Sequence, residues 1–188
     1  MDLLAVTGTV ERAGRVTQMT NPRQKDAFEY GSAFSRGAWI REPDATQLQV
    51  SGTAAIDERG KSLFPGDCRA QIFRTFENIE ALIAQAGASL ADICQATVFL
   101  KRAQDLPVYA QAAAERGLAG LPAVCVVADI CRDDLLFEAD ATAGFKRHRH
   151  GGIRAAATPS ARHRFHEFAQ RPLFAPQYLM TAIFVIEY

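Results

Sequence analysis

A chain of 188 residues, 48% hydrophobic and 22% charged, is long enough for one well-packed core and reads as one domain. No run approaches the roughly 18 apolar residues that cross a bilayer, and the N-terminus lacks a basic-then-apolar secretory pattern; this argues against a membrane role and for a cytoplasmic location. Lys and Arg number 21 and Asp and Glu 21, but residues 1–145 hold 14 basic against 19 acidic and residues 146–188 hold 7 against 2, so an acidic body carries a basic tail.

In chain order, residues 1–35 are mixed and polar, with a candidate strand from Leu3 to Val10 and a turn at Asn21-Pro22. Apolar and polar residues alternate over Ala38 to Ile40 and Gln47 to Ile56, and Pro43-Asp44 between them predicts a hairpin. After Pro65-Gly66, Asp67 is a good N-cap. Ile72, Phe76, Ile79 and Ile83 then recur at helical spacing until Gly87. Ile93 to Leu100 reads as a buried strand and Leu106 to Arg116 as an alanine-rich helix stopping at Gly117. Ala123 to Ile130 and Leu135 to Thr142 read as two strands around an Arg132-Asp133-Asp134 turn. Paired as a hairpin, these would hold Cys131 and Glu138 about three strand steps, roughly 10 Å, apart.

The order β-β-α-β-α-β-β implies an α+β fold. A sheet with both helices on one face leaves the other to be buried, most simply by self-association. Cys68, Cys94, Cys125 and Cys131 form no CxxC pair, three of them lie in hydrophobic segments, and neither a disulfide nor zinc is inferred. The basic appendage from Lys146 onward holds all four histidines. The spacings His148/His150 and His163/His166 are loose, without acidic or cysteine partners, and no metal site is assigned.

Several segments carry a resemblance: Tyr30-Gly31 with Phe34-Ser35-Arg36; Val50-Ser51-Gly52-Thr53-Ala54-Ala55-Ile56; Gly66-Asp67 with Gln71 and Asn78-Ile79; and Ala128-Asp129-Ile130-Cys131-Arg132 with Asp134-Leu135-Leu136 and Glu138. Over about residues 20 to 145 the chain resembles the Rid (YjgF-like) superfamily, and most closely the catalytic half of chorismatases. The resemblance implies a sheet backed by two helices, assembled as a trimer with sites between units. The implied reaction is hydrolysis of the enolpyruvyl ether of chorismate, releasing pyruvate and a cyclic dihydroxy or hydroxybenzoate product.

In that reading Glu138 protonates the methylene carbon, as an enol ether requires a positioned acid, and desolvation on a half-buried strand keeps the carboxyl protonated near neutral pH. Arg36 matches the position that binds substrate carboxylate. Arg132, at a turn, reads as solvated. Cys131 matches a pocket-lining position, Tyr30 offers a hydroxyl to substrate, and Gly52 with Thr53 brings backbone close to ligand unless it marks a bulge. No cofactor is called for, and the expected partners are a small anionic metabolite and two further copies of the chain.

The chain also departs from chorismatases. It lacks their additional N-terminal half, its Tyr30-to-Arg36 spacing is shorter, and the tail from Lys146 matches nothing in them. Rid imine deaminases offer an alternative, but they carry an arginine after Pro-Ala where this chain has Val124 after Pro122-Ala123. A non-catalytic ligand-binding homologue is a further alternative. RNA binding through the basic tail and Phe165 is disfavoured by the acidic body.

Overall fold

A computed structural model describes residues 15–146. Strands β1 (Val16–Met19), β2 (Gly37–Arg41) and β3 (Ala45–Ala54) run as an antiparallel meander in which Trp39 lies opposite both Thr17 and Leu48. The β2–β3 reversal falls at Pro43-Asp44, as the turn residues require. Helix α1 (Cys68–Ala84) starts at Asp67, whose Oδ1 accepts the Ala70 N–H at 2.9 Å. Its stripe of Ile72, Phe76, Ile79 and Ile83 is at most 1% exposed, and each such side chain gains about 1.5–3 kcal/mol on burial. Gly87 takes φ +76° just beyond the helix, where a residue with Cβ would be strained. Strand β4 (Ile93–Leu100), helix α2 (Leu106–Glu115), strand β5 (Ala123–Val127) and strand β6 (Phe137–Lys146) complete the chain.

The six strands form one sheet in the order β1-β2-β3-β6-β4-β5. The helices share one of its faces. Leu48 and Val50 of β3, Ala96, Val98 and Leu100 of β4, and Phe137, Ala139, Ala141 and Ala143 of β6 pack there with α1 and α2 in one core. Phe137 is central to it, 5.9 Å from the Phe76 ring and 5.8 Å from that of Tyr109. By the period of two, the alternate residues Gln47, Gln49, Gln95, Thr97, Glu138, Asp140 and Thr142 fall on the other face.

One expectation is corrected and one strand is new. Strands β5 and β6 are not a hairpin: β5 is an edge strand parallel to β4, while β6 is antiparallel to both β3 and β4 and lies between them. The connection crosses the end of β4, where Ala128 N–H donates to the Leu100 carbonyl and Lys101 N–H to the Leu136 carbonyl. An alanine-rich strand with Phe137 on its core face gains most in the middle of a sheet, where both edges are paired. β1 was not anticipated, since VTQM is short and half polar. The candidate strand Leu3 to Val10 and the tail beyond Lys146 lie outside the described residues.

Candidate active site

The β3–β6 register shifts between Val50 and Thr53, so Ser51-Gly52 is a bulge beside the start of β6. Next to it opens a cavity of about 370 Å³ that brings together Tyr30, Arg36, Gly52, Cys131 and Glu138. Thr53 is not on its wall. The bulge turns Thr53 to the opposite face, paired with Ala139 of the core, where it is fully buried and its Oγ1 donates to the Ser51 carbonyl at 2.8 Å. The Thr53 side chain thus belongs to the bulge and the core, and the bulge that the sequence offered as the other reading of Gly52-Thr53 is present.

Glu138 is half-buried, and its carboxyl lies against Gly52: a Cβ there would overlap Glu138 Oε1. The close approach expected at Gly52 is thus made first by the acid itself. Burial, and then the nearby Asp140 carboxylate, push the Glu138 carboxyl above its ordinary value, while Arg36 opposes them. Burial and Asp140 thus favour the protonated acid, and Arg36 favours the carboxylate.

Arg36 is 1% exposed. Its Nε and Nη2 donate to the Lys25 carbonyl at 3.1 and 2.8 Å, and Nη2 also donates to the Tyr30 hydroxyl oxygen at 2.7 Å. Among the described residues no acceptor engages Nη1, and no carboxylate pairs with the guanidinium. Tyr30 receives that bond and keeps its own hydrogen as a donor. The guanidinium also lies 5.5 Å from the Tyr30 ring centre and 5.3 Å from that of Phe34.

Arg132 corrects a second expectation. It is not a solvated turn residue but lines the cavity, with Nη1 donating to the Gly60 carbonyl at 2.8 Å and its guanidinium 5.8 Å from the Tyr30 ring centre. One phenol ring is thus flanked by two arginines. Cys131 is at the exposed rim, where desolvation first and the Glu138 charge second push its thiol up. Sequence reasoning also missed Phe34, Phe99 and Asp140 on the wall; only the alternation of β6, which puts Asp140 on the face of Glu138, offered a signal. Among the described residues no cluster of His, Cys, Asp or Glu could hold a metal ion, and the four histidines lie outside them.

A mixed sheet backed by two helices, with an acid and two arginines around a bulged strand, defines an α+β domain of one recognisable kind. The chain belongs to the Endoribonuclease L-PSP family, the Rid (YjgF-like) proteins, whose family model matches residues 30–144. It is 30% identical over 145 residues to the chorismatase of Streptomyces rapamycinicus, covering 68% of this chain and 43% of that protein. It is 29% identical over 147 residues to the 3-hydroxybenzoate synthase of Streptomyces hygroscopicus, with the same coverage. The 3-aminoacrylate deaminase RutC of Acinetobacter baylyi is 33% identical over 92 residues, 48% of this chain and 73% of the relative. Among solved structures, a chorismatase superposes with TM-score 0.61 at 24% identity, over 68% of this chain and 43% of its own. RidA of a Psychrobacter species does so with TM-score 0.57 at 20% identity, over 68% and 98%. The chain thus spans less than half the length of the chorismatases it matches.

Proposed function

We propose that the protein hydrolyses the enol ether of a small dicarboxylate of the chorismate type, with Glu138 as proton donor and Arg36 and Arg132 as cationic partners of the substrate. The observation that carries this reading is a half-buried carboxyl packed against Gly52, raised from its ordinary value by that burial, in one cavity with two guanidinium groups. Protonating carbon needs an acid that is still protonated near neutral pH, and burial moves Glu138 in that direction.

In the step so read, the enol ether's π electrons take the Glu138 proton at the methylene carbon, leaving an oxocarbenium ion. Water adds to that ion, and the proton it sheds restores Glu138. The resulting hemiketal breaks its bond to the ring oxygen, giving pyruvate and a ring alcohol. Substrate carboxylates beside Glu138 raise its proton affinity further, so bound substrate favours the reactive form. Tyr30, with its hydrogen available, is a third polar contact, and Phe34 and Phe99 supply apolar wall for the ring.

The deaminase reading is less well supported. Val124, at the position where Rid imine deaminases carry arginine, is 66% exposed on the edge strand and does not line the cavity. Pyruvate release from chorismate, compared with ketoacid release from a simple imino acid, distinguishes the two. Because the donor must be protonated, the chorismate rate should fall as pH rises through the elevated Glu138 pKa. A rate that rises over that range would show that Glu138 acts as a base.

A further inference from the structure

Glu138 shares the cavity wall with a second carboxylate. Asp140 follows it by two residues on β6, and the strand period places both on one face. Asp140 is 6% exposed, and its Oδ1 accepts the Thr97 N–H at 3.0 Å, so the backbone of β4 fixes its position. An N–H donor suits the ionised carboxylate.

The remaining surroundings of Glu138 can be taken element by element. Gly52 of β3 adds no charge, and β4 places Phe99 opposite Glu138. The segment from Tyr30 to Arg36 contributes a phenol and a guanidinium, and the β5–β6 connection contributes Cys131 and Arg132. Arg36 favours ionised Glu138, which would remove the proton the reaction uses. Among the described wall residues, Asp140 is the one acidic group besides Glu138 that opposes this cation.

We infer that Asp140 is a positioning residue whose fixed negative charge keeps Glu138 protonated between the two arginines. Two carboxylates in one partly desolvated site do not both ionise readily, and a backbone N–H donor favours the charge on the one it holds. Asp140 is the second cause, after burial, that raises Glu138, and this accords with the geometry. The inference rests on the hydrolase reading for its consequence, but the electrostatic coupling is measurable without it.

Asp140→Asn keeps an oxygen for the Thr97 N–H and removes the charge. The descending limb of the pH–rate profile for pyruvate release should move to lower pH, with a severalfold loss of rate above pH 7 and a low-pH plateau within about twofold of the parent. Asp140→Glu, which retains the charge, should leave the limb near the parental position; a merely structural role would lower the whole profile without moving it. The Glu138 carboxyl is also to be titrated directly by carbon-13 NMR in the substrate-free protein, in parent, Asp140→Asn and a second neutral variant, Asp140→Ser. Both neutral variants should titrate at lower pH than the parent. An unmoved Glu138 titration overturns the inference even if the parent turns chorismate over. A moved titration in a protein that releases no pyruvate sustains the coupling and removes the hydrolase reading instead.

Discussion

A guanidinium at 1% exposure keeps its charge only if acceptors and ring faces replace the water it has lost, and Arg36 has the Lys25 carbonyl, the Tyr30 oxygen and two aromatic rings. That set uses Nε and Nη2 and leaves Nη1 as a donor to a carboxylate. Arg36→Lys retains the charge but cannot fill the fork, so a dicarboxylate should bind about 1–3 kcal/mol more weakly, the scale of a charged hydrogen bond. Calorimetric titration of chorismate into folded Arg36→Lys and Arg36→Ala checks this. Parental affinity in both would move the anion site away from Arg36. Arg36 and Glu138 were singled out by their match to positions of the resembling family, and the need of an enol ether dicarboxylate for a cation and an acid agreed with that match. For Gly52 and Thr53 the sequence left a backbone approach to ligand and a bulge side by side, and the shifted register shows the bulge, which is set by pairing with a strand distant in sequence.

At the scale of elements, buried amides tie the site to α1. Gln71, fully buried, donates to the Leu63, Phe64 and Asp134 carbonyls and accepts the Leu136 N–H at 2.7 Å. Asn78 donates to the Ala54 and Ile56 carbonyls. These two side chains lock the end of β3 and the start of β6, between which Gly52 and Glu138 meet. A third tie is Lys101, whose ammonium lies 3.4 and 3.3 Å from the Arg132 and Asp133 carbonyls and 3.2 Å from the Asp129 carboxylate. It holds the connection that carries Cys131 and Arg132. Each exposed pair is worth only about 0–1 kcal/mol, so the effect belongs to placement more than to stability. Lys101→Met should fold and should bind chorismate severalfold more weakly, with part of the affinity restored in Lys101→Arg; equal binding by all three proteins would show that the connection holds its shape unaided. The connection was misread as a hairpin because the two strands lie next to each other in sequence, whereas the pairing of β6 with β3 and β4 is set by long-range packing of Phe137 and its alanines. Helix α1, in contrast, was legible because its cap, stripe and stop are all local.

For the whole molecule, the helices cover one face of the sheet and leave the other lined by Gln47, Gln49, Gln95, Thr97 and Thr142, where Thr142 Oγ1 donates to Gln49 Oε1 at 3.0 Å. Such a face suits contact with further copies through side-chain hydrogen bonds, and a homotrimer with sites between units is our proposal for it. Light scattering at micromolar concentration should give three times the chain mass of 20.5 kDa, and a monomer mass would contradict it. The fold class and family were legible because their segments span the body of the chain. Assembly was read from the resemblance and from the sheet face left uncovered by the helices, and the solution mass is its test. The hydrolase reading depends most directly on pyruvate release from chorismate by the parent and by Glu138→Gln, with chorismate binding measured alongside. We predict release by the parent, a loss of about two to four orders of magnitude in Glu138→Gln, and binding retained in both. Release at the parental rate by Glu138→Gln, or none from a parent that binds chorismate, would contradict it.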